Sequence, residues 1–227
     1  MDKLNRLLPK EFFNRLLFEG KSHFPYDTLR YEWENHRLIG SLAQTDTFYL
    51  RLPLDSQWNP ETQTLEEHHQ PIFLVLVQSG YAAVGSVIDG RIHEHKALTA
   101  YMVRQKQGKS QIKYLKTKGK SKAGSRVRLA SANQFFEDIK EKVAQYEAQG
   151  SPFRIAISCP ALLIPYLFDE SSDAPIRKKD GRLFWIPRHI HTPNFEVLKD
   201  TSQYLHKLEI HCEAKHEDFI QAFFQKS

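Results

Sequence analysis

The chain has little of several features that would each point to a particular class of protein. It has only 2 cysteines in 227 residues, too few for a disulfide framework or a cysteine-rich zinc site, so a reducing compartment is expected. Its longest apolar runs, residues 72–77 and 161–168, are far shorter than the roughly 20 residues that a membrane helix needs. No secretory signal and no internal repeat are visible. These absences predict a cytoplasmic protein without a membrane span.

One stretch of the sequence, residues 104–128, contains ten basic residues and no acidic residue. The net charge of the whole chain is only +5, so the chain outside this stretch is net negative and the basicity is local. A segment of this kind repels itself unless it is solvated or lies against a polyanion, and phosphate contacts make such binding strongly dependent on salt. The segment therefore predicts binding to nucleic acid through its ten basic residues: Arg104, Lys106, Lys109, Lys113, Lys116, Lys118, Lys120, Lys122, Arg126 and Arg128.

The basic segment has few apolar residues, no sustained hydrophobic period, and glycines at positions 108, 119 and 124. This composition favours a long exposed loop over residues 104–130. A loop of this length folded into two arms projects roughly 40 Å. It can therefore reach into a deep cavity lined with phosphates.

Hydrophobic patterning elsewhere predicts an α/β domain with a central sheet. Residues 72–77 form a β-prone run typical of a strand that is buried on both faces. Asp89-Gly90 is a hairpin signal between two further strands. Strands are expected at residues 72–77, 81–88, 91–103, 153–158 and 182–186.

Four helices are expected around these strands. The first is a short helix with Pro9 as its first residue and an apolar stripe of Phe12, Phe13, Leu16 and Leu17. The second begins at a capping box of Ser131 and Gln134 and ends at Gly150, and the third covers residues 161–168. The fourth has Thr192 as its cap and Pro193 as its first residue, and it carries Phe195, Leu198, Leu205 and Leu208. The second of these places Ala132, Phe135, Phe136, Ile139, Val143 and Tyr146 on one face. We expect an N-terminal section over residues 1–68 and a main domain over residues 69–227.

The basic segment also contains three glutamines, Gln105, Gln107 and Gln111. Among phosphates a catalytic carboxylate would face a strongly negative field, whereas a neutral amide can position a water without taking its proton. Small neighbours such as Gly108 and Ser110 would allow close backbone approach to a reacting ester. These arguments leave open which glutamine matters, and whether the loop only binds RNA or is merely solvated.

Several separated stretches of the sequence carry motifs that together point to one family. They are residues 90–96 and 101–104, with a His-Lys pair and a Tyr-x-Val-Arg element; Gly108-Lys109-Ser110-Gln111, a Gly-x-x-Gln motif; residues 121–128; and residues 182–187, 193–195 and 205–208. Over roughly residues 71–211 the chain resembles the Vms-like release factors, relatives of the catalytic middle domain of eukaryotic and archaeal peptide-chain release factors.

The resemblance implies an RNase H-like α/β domain that enters the large ribosomal subunit and releases stalled nascent chains in ribosome-associated quality control. By this resemblance Gln111 orients the attacking water or acts through its backbone, and Gly108 and Ser110 permit close approach. The basic residues would contact ribosomal RNA and the acceptor end of peptidyl-tRNA. No cofactor is expected.

The chain departs from the pattern in ways that narrow this expectation. Lys109 and Ser110 stand where ordinary release factors have two glycines. The zinc-finger, ankyrin and helical extensions of eukaryotic members and a codon-reading domain have no counterpart, as in a compact bacterial member that acts independently of the codon. Two alternatives stay open: an endonuclease that cuts the tRNA acceptor end, and a non-enzymatic module that binds ribosomal RNA.

Other candidate sites are expected to be structural. The pairs His93-x-His95 and His189-x-His191 lack a convincing third metal ligand, so no metal site is predicted. The turn Ser158-Cys159-Pro160 lacks the flanking glycines of a nucleophile elbow, so Cys159 is expected to be a buried thiol.

Overall fold

The computed structural model describes residues 3–100, 123–168 and 174–225. By their contacts the residues divide into two compact units, one formed by Met1–His69 with Gln203–Ser227 and the other by Gln70–Ser202. The expected domain boundary between residues 68 and 69 stays a prediction, although the contacts group the last residues of the chain with the N-terminal section.

The strands and helices of the described residues follow one another along the chain. The strands are β1 (Lys3–Leu8), β2 (Thr28–Glu32), β3 (Arg37–Leu42), β4 (Thr45–Arg51), β5 (Ser56–Asn59), β6 (Thr64–Glu67), β7 (Ile72–Gln78), β8 (Tyr81–Ile88), β9 (Arg91–Thr99), β10 (Arg154–Ser158), β11 (Leu183–Trp185) and β12 (Leu208–Glu213). The helices are α1 (Phe13–Phe18), α2 (Ala123–Gln149), α3 (Ile164–Leu167), α4 (Phe195–Leu205) and α5 (Glu217–Gln225). None of these described helices has the length and apolarity to cross a bilayer.

The unit Gln70–Ser202 is built on a five-stranded sheet in the order β11-β10-β7-β8-β9. The strands β7, β8 and β9 are antiparallel neighbours, whereas β10 runs parallel to β7 and β11 parallel to β10. Asp89 and Gly90 have φ angles of 49° and 73° in the turn between β8 and β9, as a tight hairpin turn requires. The α/β class is confirmed, and the strand order is that of an RNase H-like sheet.

The long helix α2 covers one face of this sheet. Its expected apolar face is confirmed, because all six of its predicted core side chains are buried: Ala132, Phe135, Phe136, Ile139, Val143 and Tyr146. They pack against alternate residues of β7, among them Phe73 and Val75. This packing supplies most of the helix's stability, since an amphipathic face stabilises a helix more than propensity does.

The predicted start of α2 at Ser131 was wrong. The helix begins at Ala123, so residues 123–130 belong to it and not to the loop. Gly124 disfavours a helix in this stretch, but it stands in the first turn, and the alanine, leucine and arginine residues that follow favour one. Gln134, the expected partner of a capping box, instead donates a hydrogen bond from its Nε2 to Asp138 Oδ1, one turn onward, at 2.7 Å.

The predicted start of α4 was also wrong, by two residues. The helix begins at Phe195, and the backbone N–H of Val197 donates to Asn194 Oδ1 at 2.9 Å. Asn194 is therefore the cap in place of Thr192, since asparagine is the better capping residue. The helix ends at Leu205, so Leu208 lies not in it but in β12.

We expect Asn194→Ala to lower the free energy of unfolding by about 1 kcal/mol, because an N–H of the first turn of α4 loses its acceptor. Chemical denaturation monitored by circular dichroism measures this change. Asn194→Ser is the matched control, since serine restores a cap and its variant should unfold close to wild type. Equal losses in both variants would contradict the capping role.

The other unit contains a five-stranded antiparallel sheet in the order β1-β12-β4-β3-β2. A short helical turn after Pro9 leads into the helix α1, so the expected N-terminal helix is confirmed. Its predicted apolar stripe is buried: Phe12, Phe13, Leu16 and Leu17. They share one core with residues of β1, β4 and β12. The sheet itself, the two-stranded β5-β6 pair and α5 were not predicted.

A buried ion pair ties β4 to β12 within this unit. Arg51 Nε donates to Glu209 Oε2 at 2.9 Å, and the two side chains are only 4% and 7% exposed. The Tyr204 hydroxyl donates to the same Glu209 oxygen at 2.5 Å, and Arg51 Nη2 donates to the Tyr204 carbonyl at 3.1 Å. Because every charge has a partner, the pair is tolerated at this depth.

Candidate functional site

The basic segment leaves the sheet at the end of β9 and returns at the start of α2. The root on the strand side is well defined: Thr99 pairs with Tyr81, and the Ala100 N–H donates to the Gly80 carbonyl at 2.9 Å. The root on the helix side is Ala123. Residues 101–122 therefore connect the third strand of the meander to the first helix that packs on the sheet.

Most of the predicted site lies outside the described residues. This applies to Gly108, Ser110 and Gln111, and to the basic residues Arg104, Lys106, Lys109, Lys113, Lys116, Lys118, Lys120 and Lys122. Arg126 and Arg128 are on the helical backbone of the first turns of α2.

The sheet side of α2 is held by polar contacts as well as by its apolar face. Glu94 on β9 accepts hydrogen bonds from Gln149 Nε2 at 3.0 Å and from Lys142 Nζ at 3.4 Å. These two bonds, the Gln149 bond first, lower the pKa of Glu94 below its ordinary value. Burial raises the pKa of Tyr146 to about 12, so its phenol stays neutral in the core. These contacts hold the C-terminal turns of α2 on the sheet.

The carboxyl ends of the parallel strands β7, β10 and β11 meet at the sheet edge from which the loop departs. Gln78 Nε2, at the end of β7, donates to the Ile190 carbonyl at 2.6 Å. The Ile186 N–H donates to the Ile157 carbonyl at 2.9 Å. These bonds bring residues 186–191 and the end of β10 to the same edge as the loop, where open α/β sheets commonly bind ligands.

The segments of this carboxyl edge that the structure describes lack acidic residues. Its described segments are residues 78–81, 97–100, 158–163 and 186–194, and none contains aspartate or glutamate. The cations and imidazoles here are Arg188, His189 and His191, all exposed. From the sequence, His189 and His191 were considered only as a metal pair, because no local pattern shows that residues 186–191 follow a buried strand at the same edge as β7 and β10.

The two thiols of the chain are not nucleophiles. Burial raises the pKa of Cys159 to about 12, and burial chiefly raises that of Cys212 to about 11. Both thiols are therefore protonated at neutral pH, and a protonated thiol is a poor nucleophile. Cys159 follows β10 at the carboxyl edge and is half-buried, whereas a buried thiol was expected.

The histidine pairs are engaged with aromatic rings. The His95 ring lies 4.2 Å from the Phe195 ring, and the His189 and His191 rings are 4.4 Å apart, measured between centroids. Across the three described ranges no three side chains of the metal-ligating types are grouped as a metal ion would need.

The described part of the fold defines an α/β domain, and the residues between its third strand and its first packed helix, residues 100–122, carry a Gly-x-x-Gln motif and many basic residues in their sequence. Residues 72–213 match the sequence model of the family described as Bacteroidetes VLRF1 release factor. The chain therefore belongs to this release factor family, and the resemblance to Vms-like release factors is confirmed. Membership of a family of release factors implies association with ribosomes.

One solved structure and the curated proteins complete the comparison. The structure, described as the Vms1 mitochondrial localization core, is 16% identical to the chain, covers 76% of it and 75% of its own length, and superposes with a TM-score of 0.45. No curated protein matches the chain.

Proposed function

We propose that the protein is a codon-independent peptidyl-tRNA hydrolase that releases stalled nascent chains from the large ribosomal subunit in ribosome-associated quality control, in the cytoplasm. One observation carries this proposal: a release factor family member has its Gly-x-x-Gln motif, Gly108-Lys109-Ser110-Gln111, inside an acid-free loop. In sequence the motif stands between β9, which pairs with β8, and α2, whose apolar face is buried, and supports of this kind favour accurate placement of a reacting group.

The proposed reaction is hydrolysis of the ester that joins the peptide to the terminal ribose of tRNA. The oxygen of water bonds to the carbonyl carbon, the bond from that carbon to the ribose oxygen breaks, and the ribose hydroxyl leaves with a proton. Gln111 orients the water through its amide or offers its backbone N–H to the developing oxyanion. Gly108 and Ser110 leave room for the backbone to approach the ester. Positioning and electrostatics supply the catalysis, without a cofactor.

The basic residues have a different role in this proposal. Ribosomal RNA and the tRNA acceptor end present a dense field of phosphates, and lysine and arginine side chains neutralise them. The seven lysines of residues 101–122 have flexible stems that can adapt to irregular RNA. Arg126 and Arg128 would act at the root of the loop, beside the N-terminus of α2.

Release of a labelled nascent chain from purified large subunits that carry peptidyl-tRNA tests the proposal, with the tRNA analysed on a denaturing gel. Released peptide with full-length tRNA supports ester hydrolysis. A shortened tRNA, with a nucleotide remnant on the peptide, would identify the endonuclease. Binding without release would identify a non-enzymatic module.

Replacing Lys116, Lys118 and Lys120 by alanine is expected to weaken binding to large subunits and to flatten its salt dependence. Each phosphate contact contributes about one unit to the slope of log affinity against log salt, so the slope should fall by about 3. Binding measured over a series of salt concentrations gives this slope. The matched control replaces three exposed lysines elsewhere, Lys21, Lys199 and Lys207. The same decrease in the control would mean that only net charge matters.

A further inference from the structure

We propose that Gly80 is a positioning residue for the release reaction, because its carbonyl holds the chain where β9 ends and the segment that carries Gln111 begins. The inference rests on the proposed function, since it concerns how Gln111 is presented to the ester. Gly80 does not contact the substrate in this proposal. It acts through Ala100, the last described residue before residues 101–122.

The hydrogen bond between Ala100 and Gly80 extends the attachment of β9 beyond the end of the strand. Thr99 and Tyr81 form the last pair between β9 and β8, and the next residue, Ala100, donates its N–H to the Gly80 carbonyl at 2.9 Å. Ala100 is half-buried and also packs against the apolar core of the unit. The strand side of the root is therefore held in place by the turn between β7 and β8.

The β7-β8 turn is itself constrained on both sides. Gln78 pairs with Tyr81, so only Ser79 and Gly80 connect the two strands. Gly80 has a φ of 82°, in the left-handed region that favours glycine. The Gln78 side chain donates from Nε2 to the Ile190 carbonyl at 2.6 Å, and this bond ties the turn to the segment after β11. A turn fixed in this way can hold its hydrogen-bond partner in one place.

Accurate placement is what the proposed chemistry requires of this root. When reacting groups are displaced by about 1 Å, the rate can fall by about 10²-fold, even if the change is far from them. Binding depends instead on the charges of the basic residues, which a change at Gly80 leaves in place. A displaced root should therefore lower the rate of release without lowering the affinity for large subunits.

Gly80→Ala is the test, because a Cβ at a φ of 82° strains the turn and shifts the carbonyl that Ala100 contacts. We expect the release rate at saturating large subunits that carry peptidyl-tRNA to fall by about tenfold or more. The dissociation constant should stay within about twofold of wild type. A merely structural role would not divide the two effects, since a loss of folded protein lowers binding and release together.

Gly90→Ala is the matched control. Gly90 has a φ of 73° in the β8-β9 turn, so alanine causes the same kind of strain there. This turn follows the Ile88–Arg91 pair, at the opposite end of the strands from the Tyr81–Thr99 pair, roughly 23 Å away along β8. Gly90→Ala should therefore leave the release rate within about twofold of wild type, although both variants should melt at lower temperatures.

Two further measurements isolate the conformation of the turn. Gly80→Asn should release peptide faster than Gly80→Ala, because asparagine tolerates a left-handed φ better than alanine does. It also replaces the alanine variant if that variant does not fold. By amide hydrogen exchange, the Ala100 N–H should exchange at least about tenfold faster in Gly80→Ala than in wild type or Gly90→Ala, because its acceptor has moved.

Release by Gly80→Ala at the wild-type rate, or a loss of equal size in Gly90→Ala, would overturn the inference and leave the proposed function in place. A loss of binding as large as the loss of release would also overturn it. If wild type binds large subunits but releases no peptide, the proposed function falls, and the positioning role falls with it.

Discussion

Gln111→Ala is expected to lower the rate of peptide release by about 10²–10³-fold, because alanine removes the side-chain amide that orients the attacking water, a loss comparable to that of one preorganised hydrogen-bonding group. Binding to large subunits should stay within about twofold of wild type, since alanine removes no charge and the loop keeps all its basic residues. A large loss of release rate with little loss of binding distinguishes a catalytic role of Gln111 from a binding role. Single-turnover release at saturating subunits measures the first, and a sedimentation or fluorescence titration measures the second.

The other glutamines of the same segment provide the control. Gln105→Ala and Gln107→Ala make the same chemical change six and four residues away, and each should leave the release rate within about threefold of wild type. Retained release by the Gln111 variant would remove it from the catalytic role. A comparable loss in all three variants would show that the loop needs its amides for positioning and not for the reaction.

Glu209→Ala is expected to lower the free energy of unfolding by about 3–5 kcal/mol, which is typical when one partner of a buried ion pair is removed. The Arg51 guanidinium would be left in a site where only 4% of its side chain is exposed, and the Tyr204 hydroxyl would lose the acceptor it contacts at 2.5 Å. Urea denaturation followed by tryptophan fluorescence measures the loss, because Trp58 packs in the same unit.

A second glutamate of β12 is the matched control for this variant. Glu213 pairs with Lys215 at the surface, where the two side chains are 37% and 65% exposed. Glu213→Ala should therefore cost less than about 1 kcal/mol. Equal losses for the two variants would show that helix α5 or strand pairing, and not the buried charge, sets the result.

The pH dependence of stability gives an independent measure of the same pair. Burial alone would raise the pKa of Glu209, but hydrogen bonds from His211, Tyr204 and Arg51 together lower it well below the ordinary 4.5. A carboxylate whose pKa is lower in the folded state stabilises the fold above its unfolded pKa and loses that contribution as pH falls. Stability should thus decline below about pH 4.5 in wild type, and Glu209→Gln should flatten this decline.

From the sequence alone, the buried strand and the long helix of the unit Gln70–Ser202 were predicted better than the sheet of the other unit. The run at residues 72–77 and the apolar face of α2 were clear because each is long, continuous and fully buried. The sheet of the other unit was missed because its strands mix buried and exposed residues without strict alternation, as in β3 and β4. Its order also depends on partners far apart, since Lys3 pairs with Glu213, and no local pattern reports such a pairing.

The predictions of the loop and of Gln111 rest on charge and on resemblance, and they stay predictions because residues 101–122 lie outside the described residues. The carboxyl edge was not predicted, because Gln78 and Ile190, which a hydrogen bond joins there, are 112 residues apart. At the start of α2 the expected cap, Ser131, lies within the helix, and at the start of α4 both Thr192 and Asn194 are of capping type. A residue of capping type therefore does not by itself fix where a helix begins.

The pairing of β1 with β12 has a consequence for how the protein is made. Residues 70–202 are contiguous, so every strand of the RNase H-like sheet is present before β12 has been synthesised. The other sheet needs β12 between β1 and β4, and until residue 213 has left the ribosomal exit tunnel, the facing edges of those two strands have no neighbour. Unpaired edges of this kind invite association with other chains. We therefore expect the unit Gln70–Ser202 to fold first during biosynthesis. The period in which β1 and β4 can associate with other chains should end when β12, the last strand translated, pairs with both.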